Sequence, residues 1–233
     1  MSAWGNGRTF SNLSFQKCVQ RCMNSSTVAE VRMGRPRGFD EDAALEAAMR
    51  VFWEKSYEGA TMADLTEAMG INRSSMYAAF GDKESIFHRA IERYQEGPMT
   101  YIRQALARPS LREVVAGLIQ GTAEFLSIRS NPPGCLLIQG ALACGTNAEP
   151  VKQAMIDWRK SGEAVMRKRL QQAQSVGELP REIQPADFAR YLSSVMAGLG
   201  IQAANGATRA ELRGVAAIAL RSIETVLSGA RSS

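Results

Sequence analysis

The amino-acid sequence predicts an all-α protein, and three observations lead to this fold class. Apolar residues recur at helical spacing in most segments, helix-capping patterns mark several helix starts, and no strand-length run alternates polar and β-branched residues. Clusters of glycine, proline and asparagine divide the chain into about nine helical segments. A change in composition near Pro98 or Pro109 predicts a small N-terminal helical domain followed by a larger C-terminal one.

The composition narrows the class of protein. Of the 233 residues, 45% are hydrophobic and 22% are charged, which is typical of a globular chain. Because no run of about eighteen apolar residues is present and the N-terminus lacks a continuous apolar segment, we expect neither a transmembrane helix nor a secretory signal. The net charge is +5, but residues 1–32 hold four bases and one acid and so carry +3 of it. The placement of bases therefore matters more than their sum.

Residues 1–32 show no pattern typical of a folded element and contain many serine and asparagine residues. We expect a disordered extension here, with a transit peptide and a start codon placed too early as alternatives. Met33 is a candidate start of the protein, because the first recognisable pattern begins there.

The first helix is predicted between Asp40 and Gly59. Asp40 can cap its N-terminus, acidic residues follow in the first turn, and one face is apolar through Leu45, Ala48, Met49 and Phe52. Further helix starts are predicted where a capping box occurs, at Thr61–Asp64, Ser110–Glu113 and Thr208–Glu211. An apolar stripe from Leu212 to Leu227 predicts the last helix.

The stretch "TMADLTEAMGINRSSMYAAFGDKES", from Thr61 to Ser85, predicts two short helices around a tight turn. The first helix ends at Gly70, Asn72 caps the second, and Asp82 caps the helix that follows. Two short helices joined by a short turn with glycine form a helix-turn-helix.

The second of these helices begins with small polar residues, which lets it enter the major groove of DNA without steric bulk. Arg73 can bind guanine through two hydrogen bonds, while Ser74 and Ser75 suit base edges or phosphates. Residues 33–83 hold nine acids and six bases, so DNA binding requires the bases and the acids to lie on different faces. A three-helix bundle without DNA function is the alternative.

This stretch resembles the helix-turn-helix of the TetR family of bacterial transcriptional repressors. The matching positions are Thr61, Leu65, Gly70, Ile71, Asn72, Met76, Tyr77, Phe80, Lys83, Glu84 and Ile86. The resemblance implies that Thr61, Tyr77 and Lys83 contact phosphates. It also implies that the groove is faced by Arg73, Ser74 and Ser75.

The sequence departs from the family where Ala78 and Ala79 replace a pair that is often polar or aromatic. Hydrogen bonds to bases or phosphates are therefore not expected at these two positions. Ala78 can still touch the methyl group of a thymine.

A basic arm precedes the first helix. Arg35 and Arg37 flank Pro36 in the stretch "MGRPRG", which excludes a helix and leaves an extended backbone. Arginines on such an arm suit a narrow, A·T-rich minor groove, and a flexible solvated arm is the alternative. The predicted DNA-binding residues are therefore Arg35, Arg37, Thr61, Asn72, Arg73, Ser74, Ser75, Tyr77 and Lys83.

No catalytic, metal or cofactor site is predicted. His88 is the only histidine, so neither a His-based triad nor a two-histidine metal site can form within one chain. The glycine-rich stretch "GCLLIQGALACG" lacks the lysine and the strand of a phosphate loop. Cys18 and Cys22 lack partners for a zinc set, and Cys135 and Cys144 fall on opposite faces of one predicted helix. We therefore predict a protein that is not an enzyme.

The family resemblance implies that the C-terminal helices enclose a pocket for a small, fairly apolar effector. We assign its lining to apolar residues on helical stripes, namely Phe125, Leu137, Ile138, Ala141, Met155 and Trp158. Each of these residues also suits an ordinary core position. Arg129, Gln139 and Asn147 are candidate polar anchors, among which the sequence does not decide.

The last two helices are predicted to form a dimer interface, as the resemblance implies. Small residues allow helices to approach closely, and the final apolar stripe supplies contact area. The predicted interface consists of Met196, Gly200, Ala203, Leu212, Ala216, Leu220 and Ile223. Two helices from each subunit then make a two-fold interface, which presents two recognition helices to a near-palindromic operator.

These expectations describe a ligand-released repressor in the cytoplasm, associated with the nucleoid when bound to DNA. Its expected partners are double-stranded operator DNA, an unknown small-molecule effector and a second copy of the chain, without a membrane. The predicted domains are an extension at 1–32, a helix-turn-helix DNA-binding domain at 33–84, and an effector and dimerisation domain at 85–233. The alternatives are an activator of the same fold and a helical ligand-binding protein without DNA function.

Overall fold

The structure, a computed structural model, describes residues 39–142 and 148–228, and for residues 140–142 it describes the backbone alone. Ten helices occupy these residues, which confirms the all-α fold class. The helices are α1 (Glu41–Gly59), α2 (Met62–Met69), α3 (Arg73–Phe80), α4 (Lys83–Glu96), α5 (Thr100–Leu106), α6 (Leu111–Leu126), α7 (Leu136–Leu142), α8 (Glu149–Ser175), α9 (Pro185–Ala204) and α10 (Arg209–Ser228).

The helices begin where the capping residues of the sequence predict. The Asp40 carboxylate accepts hydrogen bonds from the backbone N–H groups of Asp42 and Ala43. The three predicted capping boxes form, with reciprocal bonds between side chain and backbone, at Thr61–Asp64, Ser110–Glu113 and Thr208–Glu211. Each box satisfies backbone donors that a helix N-terminus otherwise leaves unpaired.

The last turn of α1 contains a sharp break at Ser56. This residue has φ 59° and ψ 177°, a combination that is almost confined to glycine. The Ser56 carbonyl still accepts a hydrogen bond from the N–H of Ala60 at 3.3 Å, so the chain turns toward α2 in an ordered way. The break predicts local strain, because a Cβ atom is crowded at this φ.

One hydrophobic core joins the first four helices to the C-terminal part. Buried side chains of α1 to α4 cluster with Phe125 of α6, Leu136 and Leu137 of α7, and Met155 of α8. Cys135 is buried in the same core and lies directly before α7, not within it as the sequence suggested. Cys144, which the sequence predicts on the opposite face of the same helix, lies outside the described residues.

Trp53 stands at the centre of this shared core. Its ring meets Tyr94 of α4 edge-on at 4.8 Å and stacks on Phe125 of α6 at 5.8 Å, both measured between ring centroids. Its indole N–H donates to the carbonyl oxygen of Gly134 at 3.1 Å. Aromatic pairs in these arrangements add stabilisation beyond their buried area, so three helices and one turn are fixed by a single side chain.

A second core lies between α6, α8, α9 and α10. It buries five residues that the sequence analysis placed in a dimer interface: Gly200, Ala203, Leu212, Ala216 and Ile223. A Cβ on Gly200 would lie 2.8 Å from Cδ1 of Ile138, so this glycine lets α9 approach α7 of the same chain. These five residues are therefore covered by their own chain. The sequence did not show this, because helical periodicity identifies an apolar face that must be covered but not the element that covers it.

Within the described part of the chain, no helix combines the length and the apolar character that crossing a membrane requires.

The strain at Ser56 leads to a stability prediction. Ser56→Gly should raise the free energy of unfolding by about 1 kcal/mol, because the relief of a positive-φ conformation exceeds the extra entropy of glycine in the unfolded chain. For a chain of this size, the melting temperature should rise by roughly 2–4 °C in a thermal unfolding experiment. Ser85→Gly, within the first turn of α4, is the control and should lower it. A lower melting temperature for Ser56→Gly would contradict the assigned strain.

Candidate nucleic-acid interface

The helix-turn-helix predicted from the sequence is formed by α2, a short turn and α3. Gly70 ends α2 in the left-handed conformation, with φ 66° and ψ 25°, which a residue with a Cβ adopts less readily. Its N–H bonds to the carbonyl of Glu67 at 3.2 Å, and the N–H of Ile71 bonds to Thr66 at 3.3 Å. The turn therefore satisfies the last carbonyls of α2 before α3 begins.

The helix α3 has one buried face and one exposed face. Met76 and Phe80 are buried, and they pack in the same core as Leu65 and Met69 of α2. The exposed positions are Arg73, Ser74, Tyr77 and Ala78, with Ser75 half-buried between the two faces. The exposed side of α3 thus carries one guanidinium, one hydroxyl, one phenol and one methyl group, all kinds of group that contact DNA.

Arg73 and Tyr77 lie one turn apart on this exposed face. The Arg73 guanidinium carbon is 5.7 Å from the centroid of the Tyr77 ring, within the range of a cation–π contact. The ring is 43% exposed, so its hydroxyl is accessible to a phosphate. The contact gives the arginine a preferred direction along the helix surface.

Asn72 caps α3 and also constrains Ser74. Its side-chain oxygen accepts a hydrogen bond from the backbone N–H of Ser75 at 2.8 Å and from the hydroxyl of Ser74 at 2.7 Å. With its proton donated to Asn72, the Ser74 hydroxyl presents acceptor lone pairs, which suit an amino group of a base better than a phosphate. The side-chain oxygen of Asn72 itself serves the helix.

The Thr61 hydroxyl, a predicted phosphate contact, is engaged in the capping box of α2. It donates to the Asp64 carboxylate at 2.8 Å and accepts from the Asp64 N–H at 3.1 Å. Lys55 of α1 lies 2.6 Å from the same carboxylate. The Lys55 ammonium and then the Thr61 N–H and hydroxyl hold the pKa of Asp64 well below its usual range. The carboxylate therefore stays ionised and anchors a lysine that the sequence analysis did not single out.

Lys83 begins α4, where a phosphate contact was predicted. Its ammonium group lies 4.6 Å from the centroid of the Tyr57 ring, which follows the break at Ser56. Burial lowers the pKa of Lys83 from its ordinary value, because the half-buried ammonium loses part of its hydration. Tyr57 supports this cation but was not predicted, since the backbone break that positions it leaves no signal in the sequence.

The acids of α1 pair with arginines of α4. Arg93 lies 3.3 Å from Asp42 and 3.1 Å from Glu46, and Arg89 lies 3.6 Å from Glu41. Each exposed pair stabilises little by itself. Together they turn three acids of the first helix toward α4 rather than toward the exposed face of α3, which is the separation of charges that DNA binding requires.

The predicted DNA-binding residues are therefore only partly placed by the structure. Seven of them lie on α3 or at the helix ends beside it: Thr61, Asn72, Arg73, Ser74, Ser75, Tyr77 and Lys83. Arg35 and Arg37 lie outside the described residues. In the described part of the chain, no group of three His, Cys, Asp or Glu side chains is arranged to hold a metal ion.

The residues assigned to an effector pocket come together in the shared core. Phe125, Leu137 and Met155 are buried in this core, and Ile138 and Trp158 are half-buried at its edge and pack against it. Of the candidate anchors, Gln139 donates to the Pro133 carbonyl at 3.2 Å, while its side-chain oxygen is buried without a hydrogen-bond partner among the described residues. Arg129 is exposed. The Ala141 side chain and Asn147 lie outside the described residues.

An apolar surface remains uncovered on the last two helices. We call the surface formed by exposed large side chains of α9 and α10 the C-terminal face; its members are Tyr191, Ile201, Val215, Ile218 and Val226. Ile218 is 59% exposed, and a Cβ on Gly198 would meet no atom within 4 Å. Exposed apolar side chains of this size are typical of a protein–protein contact where they form a contiguous patch.

Comparison with known proteins finds two family models that match successive parts of the chain. Residues 44–90 match the model of bacterial regulatory proteins of the tetR family, and residues 105–218 match the model of tetracyclin repressor-like C-terminal domains. The HTH-type transcriptional repressor ComR of Escherichia coli (strain K12) is 28% identical over 200 residues, which cover 85% of this chain and 95% of ComR. The repressor BdcR of the same strain is 27% identical over 201 residues, which cover 83% and 94%.

Solved structures extend this comparison to the fold and identify the family. A cysteine mutant of the TetR family transcriptional regulator CifR, in complex with 26-bp double-strand operator DNA, matches with a TM-score of 0.76 and 38% identity, over 81% of this chain and 98% of CifR. A TetR-type regulator from Rhodococcus sp. RHA1 matches with a TM-score of 0.52 and 32% identity, over 79% and 99%. The chain belongs to the TetR family of bacterial regulatory proteins and is a helix-turn-helix DNA-binding transcriptional regulator.

Proposed function

We propose that the chain is a repressor that binds a near-palindromic operator as a homodimer and releases it when a small molecule binds the C-terminal helices. The observation that carries the proposal is the exposed face of α3, a short capped helix that presents Arg73, Ser74 and Tyr77 above buried Met76 and Phe80. The relatives ComR and BdcR are named as repressors, which supports repression over activation.

The chemistry of each exposed group suggests its partner on the operator. Arg73 suits the O6 and N7 atoms of a guanine, Ser74 an amino group of a base, and Ala78 a thymine methyl group. Tyr77 on α3 and Lys83 beside it suit phosphates, whereas the O–H and N–H of Thr61 are both donated to the Asp64 carboxylate. The complex of CifR with operator DNA supports this mode of binding for a chain with the same helix arrangement.

The C-terminal face is the proposed dimer surface. Its five large apolar side chains are exposed, whereas Leu212, Ala216 and Ile223 are buried in the core of their own chain. An operator with two half-sites requires the two-fold contact through this face to present both copies of α3 to the same side of the DNA.

The proposed effector is a small apolar molecule with a hydrogen-bond donor. It would lie among the apolar side chains around Trp158 and Ile138. Its donor would bond to the side-chain oxygen of Gln139, the residue after Ile138, which is buried without a partner among the described residues. An unpaired buried acceptor costs free energy that a donor on a ligand recovers. The turn before α7 would connect this ligand to α1. Gln139 donates to the carbonyl of Pro133 in that turn. Two residues of α1 bind the same turn, since Arg50 donates to the carbonyl of Ser130 at 2.5 Å and Trp53 to that of Gly134.

The proposed function requires no catalytic step and no cofactor. It places the protein in the cytoplasm, and on the nucleoid when it is bound to its operator. A reporter gene placed under an operator that the protein selects from a random DNA library distinguishes repression from activation. Expression of the reporter should rise when the regulator is deleted, whereas a fall would indicate an activator.

Arg73 should determine base specificity. For a duplex selected by the wild-type protein from a random library, Arg73→Ala should cost about 1–3 kcal/mol in binding and relax the preference at one base pair, because a two-bond contact to guanine is lost. Fluorescence anisotropy with single-base variants of the duplex measures both effects. Arg181→Ala, an exposed arginine between α8 and α9, is the control and should leave affinity unchanged. Equal affinities for wild type and Arg73→Ala would remove Arg73 from the interface.

Lys83 should contribute to affinity without contributing to specificity. Lys83→Gln should weaken binding to all duplexes alike and reduce the slope of log affinity against log salt by about one, because one phosphate contact is lost. Titrations at several salt concentrations measure the slope. The matched control is Lys160→Gln on the exposed side of α8, which should keep the wild-type slope. A wild-type slope for Lys83→Gln would show that this lysine does not contact DNA.

The C-terminal face should determine the oligomeric state. Ile218→Asp should convert a dimer into a monomer, because two carboxylates would be buried in an apolar two-fold contact. Sedimentation velocity measures the mass of the species in solution. Val176→Asp changes a similarly exposed apolar residue outside this face and should leave the dimer intact. A dimeric Ile218→Asp variant would place the interface elsewhere.

A further inference from the structure

The recognition helix α3 depends on other elements for its stability. It spans eight residues, a length at which an isolated helix does not form in water. Asn72 caps its N-terminus, but its last turn contains no basic residue that could interact with the final carbonyl groups. The C-terminal end of α3 therefore needs a partner from outside the helix.

Arg89 of α4 supplies this partner. Its guanidinium donates a hydrogen bond to the carbonyl oxygen of Ala79 at 3.0 Å, in the last turn of α3. The guanidinium carbon also lies 4.4 Å from the centroid of the Phe80 ring. A second nitrogen of the same group is 3.6 Å from the carboxylate of Glu41, at the start of α1. One planar group thus joins α3, α4 and α1.

We propose that Arg89 is a positioning residue for operator recognition, which holds the end of α3 without touching DNA; the proposal rests on the proposed function of α3. A positive charge at the C-terminus of a helix stabilises the helix by interacting with its dipole. A hydrogen bond to a free carbonyl group there fixes the last turn of the helix. The planar fork of arginine can make this bond, stack on a ring and pair with a carboxylate at the same time, which a lysine cannot.

The location of Arg89 separates positioning from direct contact. The guanidinium stacks on Phe80, which is 3% exposed and faces the core, whereas the groups proposed to contact bases lie on the exposed face of α3. Loss of Arg89 should therefore reduce the fit of α3 to specific bases. It should not reduce the number of phosphates that the protein neutralises, so the salt dependence of binding should stay the same.

Arg93 offers a matched control one turn further along α4. It carries the same charge and pairs with α1 through Asp42 and Glu46, at 3.3 and 3.1 Å. Its partners are therefore on α1, whereas those of Arg89 include α3. Replacing either arginine with glutamine removes one positive charge and the pairing of that residue with α1. The two variants differ mainly in the contacts with α3, which are the hydrogen bond to Ala79 and the stacking on Phe80.

The test compares Arg89→Gln and Arg93→Gln on two duplexes, one selected by the wild-type protein from a random library and one scrambled. Arg89→Gln should bind the selected duplex about tenfold more weakly, with unchanged affinity for the scrambled duplex and an unchanged salt slope. Arg93→Gln should stay within about twofold of wild type on both duplexes. Hydrogen exchange of the DNA-free protein should be faster in α3 for Arg89→Gln and unchanged there for Arg93→Gln.

Other outcomes overturn the proposal. A salt slope reduced by about one in Arg89→Gln would make Arg89 a phosphate contact. Equal losses in the two variants would assign the effect to the link with α1. If Arg89→Gln does not fold, Arg89→Lys takes its place, and wild-type specificity with wild-type exchange in α3 would then refute the role. If the wild-type protein itself selects no duplex, the proposed function fails, while the exchange experiment still tests whether Arg89 holds α3.

Discussion

The contacts of the Trp53 side chain connect the DNA-binding helices to the rest of the chain. The indole ring packs between Tyr94 and Phe125, and its N–H is bonded to the carbonyl of Gly134. Because this single core includes side chains of α1, α4, α6 and α7, the helix-turn-helix has no separate core of its own. A displacement of α7 therefore acts on α1 through buried contacts, because a close-packed core is hard to compress and transmits strain.

The surface that reads DNA follows from how α3 is held on this core. Met76 and Phe80 bury one side of a helix that is too short to form alone, and Asn72 and Arg89 occupy its two ends. With the helix fixed at these points, the side chains on its other side are exposed together. Recognition thus depends on residues that do not face DNA as well as on those that do.

Local signals in the sequence predicted the elements, and long-range contacts explain what it missed. Asp40, Thr61, Asn72 and Gly70 act on backbone groups within a few residues, so their spacing alone located the helix-turn-helix. The apolar stripe of α10 was equally visible, but its burial against α6 and α9 depends on packing that spacing does not specify. The contact of Tyr57 with Lys83 and the hydrogen bond from Arg89 of α4 to α3 were missed for the same reason, because both form only after the chain has folded.

Native-state hydrogen exchange of the DNA-free protein tests most directly whether the DNA-binding helices share one core with the C-terminal helices. The slowest amide protons of α1, α4 and α6 report the free energy of the opening that exposes each helix. A shared core predicts the same opening free energy for all three helices, with the same dependence on denaturant. An opening of α1 and α4 at a free energy several kcal/mol below that of α6 would show two independent cores and contradict the account.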